Sequence, residues 1–139
     1  LNRTSVTYES VKKILNGGGG LSTELTKDTI EIFLSATLMS AYGMTEACSS
    51  LTFMTLFDPT KTTHQKYHSS FKGGICVGQS ATHVKLKISP DEKSSKTGEI
   101  LMRGPHVMLG YWGQSTSKSN HSKPGLEDWL DTGDIGLLE

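Results

Sequence analysis

The sequence has no surplus of charge of either sign, because 14 basic and 14 acidic residues cancel. That balance builds no positive field, so neither nucleic acid nor an anionic membrane surface is an expected partner. No apolar run approaches the length of a membrane span, and no signal-peptide pattern opens the chain. A targeting segment would have to lie upstream of Leu1, so localisation is not written in these residues. Cysteine is scarce. Cys48 and Cys76 lack metal-ligand spacing, a pattern that fits free buried thiols in a reducing compartment, with a disulfide or a catalytic thiol as alternatives. An initiator methionine is missing as well, and Glu139 follows directly on Asp134-Ile135-Gly136-Leu137-Leu138, which reads as a strand just begun. Both ends are expected to be cut from a longer chain.

What is present divides in two. A length of 139 residues suggests one domain at most, with room for a real core. Val11-Lys12-Lys13-Ile14-Leu15-Asn16 suits a short helix or a buried strand equally, since periodicity alone does not choose. Gly17-Gly18-Gly19-Gly20 follows, either a flexible linker or a backbone able to lie flat against a planar ligand. Ser22 is a good N-cap, Glu24 falls in a first turn, and Leu25, Thr29, Ile32 and Phe33 share one face, so a helix is predicted from about Ser22 to Ser35. With the apolar segment Leu38 to Tyr42, this reads as a β-α-β unit of a parallel sheet, whose ligands sit at the carboxyl ends of the strands.

The texture changes after Phe57. Residues 58–72 read as a polar surface loop, and His64 and His68 there have no third metal ligand nearby. The remainder, 73–139, reads as a small β-rich subdomain. Val84, Leu86 and Ile88 alternate inward along one strand, Pro90 to Lys96 forms an exposed turn, and Gly98 to Gly104 forms the next strand. Val107, Met108, Leu109, Tyr111 and Trp112 are a dense apolar patch expected in the core. Ser115 to Pro124 is polar, and Trp129 is expected to pack against a glycine turn carrying Asp131 and Asp134.

The chemistry concentrates in Ser40-Ala41-Tyr42-Gly43-Met44-Thr45-Glu46. A glycine lets the backbone approach a ligand, a hydroxyl can donate to a phosphate oxygen, and a carboxylate can hold a hard divalent cation. The alternative is a strand-to-loop turn whose Thr45 and Glu46 simply face solvent.

Read in order, Gly17 to Ser22, Tyr42-Gly43-Met44-Thr45-Glu46, Gly98-Glu99-Ile100 with Gly104-Pro105 and Gly110-Tyr111-Trp112, and Asp131-Thr132-Gly133-Asp134 resemble the AMP-forming acyl-adenylate synthetases. The resemblance spans about Val11 to Leu138. It implies an α/β fold, part of the large N-terminal domain of an adenylate-forming enzyme, with the β-α-β segment followed by the β-rich subdomain. It implies ATP and Mg2+ as cofactors, with a small carboxylic acid and coenzyme A as co-substrates. Gly18, Gly19 and Gly20 would border the adenine beside Ala41 and Tyr42. Gly43 would line the nucleotide and acyl sites together, Thr45 would bind the α-phosphate, Glu46 the magnesium ion, and Asp134 the ribose hydroxyls. Ser40, Ala41, Gly43 and Met44 would border the acyl pocket. Ser40 through Thr55 and the stretch around Trp129 are more narrowly similar to a branch of plant acid–CoA ligases, which implies a chloroplast or peroxisome.

Two departures from the family pattern bear on activity. Members commonly carry Ala and Pro where this chain has Gly19 and Gly20, so a more mobile loop is implied. The Ser/Thr/Gly-rich phosphate loop with its lysine and the lysine-bearing C-terminal domain do not occur within these 139 residues. The isolated chain is therefore expected to be inactive, and poorly soluble because cut sheet edges stay unpaired.

Overall fold

The computed structural model describes residues 8–61, 75–91, 94–113 and 129–137. His64, His68 and the polar stretch Ser115 to Pro124 lie outside the described residues. The chain clusters into two compact units, one of residues 1–42 and 52–79 and the other of 43–51 and 80–139.

In the first unit, β1 (Lys13–Asn16) pairs in parallel with β2 (Thr37–Met44), Asn16 standing opposite Ser40. The helix α1 (Thr23–Ile32) connects them, which makes the expected β-α-β unit. The Ser22 side chain caps α1 by accepting from the Leu25 N–H at 3.1 Å, and its carbonyl accepts from both the Thr26 N–H and the Thr26 hydroxyl at 2.9 Å. Glu24 lies in the first turn, as expected.

The helix is shorter than its sequence suggests. Phe33 leaves helical geometry (φ −115°, ψ 59°) where its ring stacks on Tyr8 at 5.4 Å, and the Ala36 N–H then bonds the Phe33 carbonyl in a tight turn. Its inward face also differs. Thr26 is buried while Thr29, Ile30 and Phe33 are half-buried, whereas Leu25 and Ile32 face out. The two threonine hydroxyls bond back to the Ser22 and Leu25 carbonyls, so burying them leaves no unmet donor.

β2 runs directly into a one-turn 3₁₀ helix (Thr45–Ala47) and then β3 (Ser49–Phe57). β2 and β3 are neighbours in a four-stranded sheet ordered β1-β2-β3-β4, with β4 the short pair Gln79–Ser80. A connection this short requires an antiparallel hairpin. Residues 43–51, the end of that hairpin, belong to the second unit.

The second unit carries an antiparallel meander of β5 (Lys85–Asp91), β6 (Ser94–Arg103) and β7 (Leu130–Gly136). Lys85 opposes Arg103 and Asp91 opposes Ser94, so the strands consume most of the turn expected between Pro90 and Lys96. Val84 is buried and Leu86 and Ile88 half-buried, which keeps the predicted alternation. Leu51 and Met102 are fully buried in this unit, as Leu38 is in the first. Trp129 sits beneath two cations, Lys87 Nζ at 4.4 Å and Arg103 at 5.0 Å from its ring centre, an arrangement that attracts charge to the ring face. The expected core patch is overturned in part: Leu109 is 87% exposed, Tyr111 exposed and Trp112 fully so, while Val107 and Met108 are half-buried. All five lie between Gly104 and Gly113, outside the strands of the described residues. Both cysteines are free, but exposed rather than buried.

Removing the cap tests this account of α1. Ser22→Ala is expected to lower stability by about 1 kcal/mol, while Leu25→Ala, at a position 55% exposed, should stay within about 0.5 kcal/mol of wild type. Urea unfolding of both variants measures the contrast.

Candidate functional site

The hairpin end is shaped by Gly43. A Cβ there would stand 2.3 Å from the Ser49 carbonyl oxygen and 2.6 Å from the Ser50 Cα, so the first demand on this glycine is the approach of its own partner strand. From that point the chain turns through Thr45, Glu46 and Ala47. Ala47 is 1% exposed and anchors the turn, leaving Thr45 exposed and Glu46 half-exposed. Cys48 closes it in the left-handed region (φ 53°) with its N–H on the Thr45 carbonyl at 2.9 Å.

Glu46 is held at both ends by one segment. The Met108 N–H donates to its carbonyl at 2.8 Å, and the Tyr111 hydroxyl donates to Oε1 at 2.5 Å. The phenol lowers the Glu46 pKa below the ordinary carboxylate range and is itself raised by the same bond. Glu46 is thus an ionised, acceptor-only oxygen donor at neutral pH, the chemistry a hard cation requires. Among the described residues no group of three or more His, Cys, Asp or Glu stands together as a metal cage. A single carboxylate still suits Mg2+, which typically takes one or two carboxylates alongside substrate phosphates and water.

The same segment includes His106. Its two ring nitrogens are buried with no hydrogen-bond partner, and its ring meets that of His83 edge-on at 5.4 Å. Burial first, and the neighbouring His83 charge second, lower its pKa from the usual 6.5.

Asp134 lies within β7 rather than in a free turn. Leu101 opposes Asp131 and Glu99 opposes Ile135, so Thr132, Gly133 and Asp134 together face the single residue Ile100. This bulge is internally bonded: the Thr132 hydroxyl donates to the Ile100 carbonyl at 2.8 Å, the Gly133 N–H to Asp131 Oδ1 at 2.9 Å, and the Asp134 N–H to Thr132 Oγ1 at 3.2 Å. Gly133 has φ 76°, which a side chain would resist. The Asp134 residue is exposed on the result.

The glycine run is exposed after β1, where the Asn16 side-chain amide donates to the Gly19 carbonyl at 2.7 Å. A Cβ on Gly20 would meet Ile75 at 3.3 Å. Gly18, Gly19, Gly20, Ser40, Ala41 and Tyr42 belong to the first unit, while Gly43, Met44, Thr45, Glu46 and Asp134 belong to the second. Sequence reasoning missed Tyr111 as the partner of Glu46. The signal was its place between Gly110 and Gly113, since an aromatic flanked by glycines outside a strand is poorly suited to a core.

Comparison with known proteins supplies an independent frame. The profile of a family described as AMP-binding enzyme matches residues 2–112. The chain is 49% identical over 148 aligned residues to the chloroplastic/peroxisomal 2-succinylbenzoate–CoA ligase of Arabidopsis thaliana, covering 100% of this chain and 26% of that one. It is 32% identical to 4-coumarate–CoA ligase 1 of Petroselinum crispum, covering 94% of this chain and 23% of the relative. The chain therefore spans about a quarter of the length of these relatives. Among solved structures, the o-succinylbenzoate coenzyme A synthetase of Bacillus subtilis in complex with ATP and magnesium superposes with a TM-score of 0.65 at 28% identity, over 99% of this chain and 26% of that one. The α/β architecture is that of the N-terminal domain of adenylate-forming enzymes.

Two measurements follow from the geometry. Because the folded pKa of His106 is depressed, its stabilising contribution is complete above pH 6.5 and is lost as pH falls through the folded value. His106→Phe is expected to flatten the decline in Tm between about pH 7.5 and about pH 5.5, and an unchanged slope would show that this ring does not titrate there. Gly43→Ala, forced against the Ser49 carbonyl, is expected to destabilise the protein by about 1–3 kcal/mol in thermal unfolding.

Proposed function

The chain belongs to the AMP-binding enzyme family, and from that premise we propose that it forms the nucleotide-binding segment of an ATP-dependent, AMP-forming acid–CoA ligase whose acid is 2-succinylbenzoate. The observation that carries this reading is the Thr45–Glu46 turn: an exposed hydroxyl beside an ionised carboxylate, fixed at the end of a hairpin. The 49% identity to the Arabidopsis ligase along the whole chain supports the choice of acid. By the same likeness, the protein serves phylloquinone synthesis in a chloroplast or peroxisome.

The residues divide the work by chemistry. The backbone of Gly18, Gly19 and Gly20 borders the adenine with Ala41 and Tyr42, where missing side chains allow a flat ring to approach. The two carboxylate oxygens of Asp134 accept from the two ribose hydroxyls. Thr45 would donate to an α-phosphate oxygen and Glu46 would hold the magnesium ion, which would supply positive charge to the phosphates. Ser40, Gly43 and Met44 line the acyl pocket. The substrate carboxylate attacks the α-phosphorus, pyrophosphate leaves, and the acyl-adenylate then passes its acyl group to the coenzyme A thiol with loss of AMP. Positioning and charge stabilisation dominate such a step.

A panel of acids tests the assignment. With the full-length protein, pyrophosphate release is expected to be fastest with 2-succinylbenzoate; faster turnover of a cinnamate or a fatty acid would overturn the choice of acid. Glu46→Gln should reduce adenylation at limiting magnesium by at least about tenfold, with Tm held near wild type because the side chain is half-exposed. Unchanged turnover at limiting magnesium would sink the role of Glu46.

A further inference from the structure

We propose that Tyr111 is a positioning residue that sets the cation preference of this site, by occupying one oxygen of the Glu46 carboxylate and leaving the other for the ion. The inference rests on Glu46 being the magnesium ligand, and deepens that reading.

The Tyr111 hydroxyl donates to Oε1, so Oε2 is the oxygen left for a metal. The Met108 N–H, three residues before Tyr111, donates to the Glu46 carbonyl, so the backbone that carries this carboxylate is tied to the same segment as the phenol. The tyrosine is 48% exposed, and Trp112 beside it is fully exposed, so its hydroxyl can be removed without emptying a buried site. A carboxylate with one oxygen engaged binds a cation through a single atom. Mg2+ tolerates that mode, since it demands near-ideal octahedral geometry at short distance and keeps several waters. Ca2+ takes six to eight oxygens and readily accepts a carboxylate through both atoms. Holding Oε1 away from the ion thus withholds from Ca2+ a mode that Mg2+ does not use. Groups that hydrogen-bond to metal-ligating carboxylates orient them and tune affinity in this way.

The test uses the full-length protein saturated with a non-hydrolysable ATP analogue. Bound Mn2+ is followed by electron paramagnetic resonance while Mg2+ or Ca2+ is titrated as a competitor. Tyr111→Phe removes one exposed oxygen, and it is expected to shift the ratio of Mg2+ to Ca2+ affinity toward Ca2+ by about tenfold. A ratio that stays at the wild-type value, or moves toward Mg2+, overturns the proposal; a tyrosine that only braced the segment would weaken both ions alike. Glu46→Gln in the same assay separates the two claims. If cation affinity survives Glu46→Gln, the reading of Glu46 as ligand fails. If Glu46→Gln loses the cation while Tyr111→Phe keeps the wild-type ratio, only the role of Tyr111 fails.

Discussion

The backbone contact at Gly43 governs this structure. β2 and β3 can close into a hairpin only because no side chain stands between Gly43 and the Ser49 carbonyl. That closure puts the Thr45–Ala47 turn at the hairpin end, with Ala47 buried as its anchor and Glu46 turned to where Met108 and Tyr111 meet it. A β-branched or bulky residue at position 43 would separate the strands, and the carboxylate would lose its fixed place. One glycine thus links the pairing of a sheet to the orientation of a titratable group.

The two buried threonines among the described residues both have their hydroxyl bonds met. Thr26 returns its hydroxyl to the Ser22 carbonyl, and Thr52 donates to the Val77 carbonyl at 2.5 Å. His106 differs, because its ring nitrogens are buried without a bond. Leaving buried polar atoms unpaired is costly, and the cost rises on protonation, so His106 disfavours its charged form.

The sequence reading succeeded where local chemistry decides and failed where tertiary neighbours do. The Ser22 cap, the parallel β-α-β unit and the inward Val84 were legible because each rests on residues close in sequence. The end of α1 was not, since Phe33 leaves the helix where its ring stacks on Tyr8, a residue 25 positions earlier. On α1, Thr29 and Phe33 face inward as expected, but Leu25 was read in place of Thr26, because hydrophobicity alone does not credit a threonine that bonds its own helix. Leu109, Tyr111 and Trp112 were misread as core because apolar composition alone does not say which side chains an element covers, and these three lie outside the strands of the described residues. In the candidate site, the motif residues were visible as types in order, but the bond from Tyr111 to Glu46 spans 65 residues, so no local pattern pairs the two.

The motif residues share a property that composition does not show. In each sheet they lie where regular pairing breaks. Gly43 to Glu46 sit where β2 gives way to a 3₁₀ turn, Asp134 sits in a bulge that sets three residues against one, and the glycine run begins where β1 ends. A regular strand buries its polar backbone in ladder bonds and alternates its side chains between two faces, so it offers a ligand little of either. A bulge or a short turn frees a donor and re-aims a side chain, and the surrounding strands keep it from wandering. The internal bonds of the 132–134 bulge show why this does not cost the sheet its integrity: the Thr132 hydroxyl takes the Ile100 carbonyl that the interrupted ladder would leave open. The irregularities are thus satisfied within themselves, which lets β7 hold Asp134 in a bulged stretch of backbone while both flanks remain paired with β6.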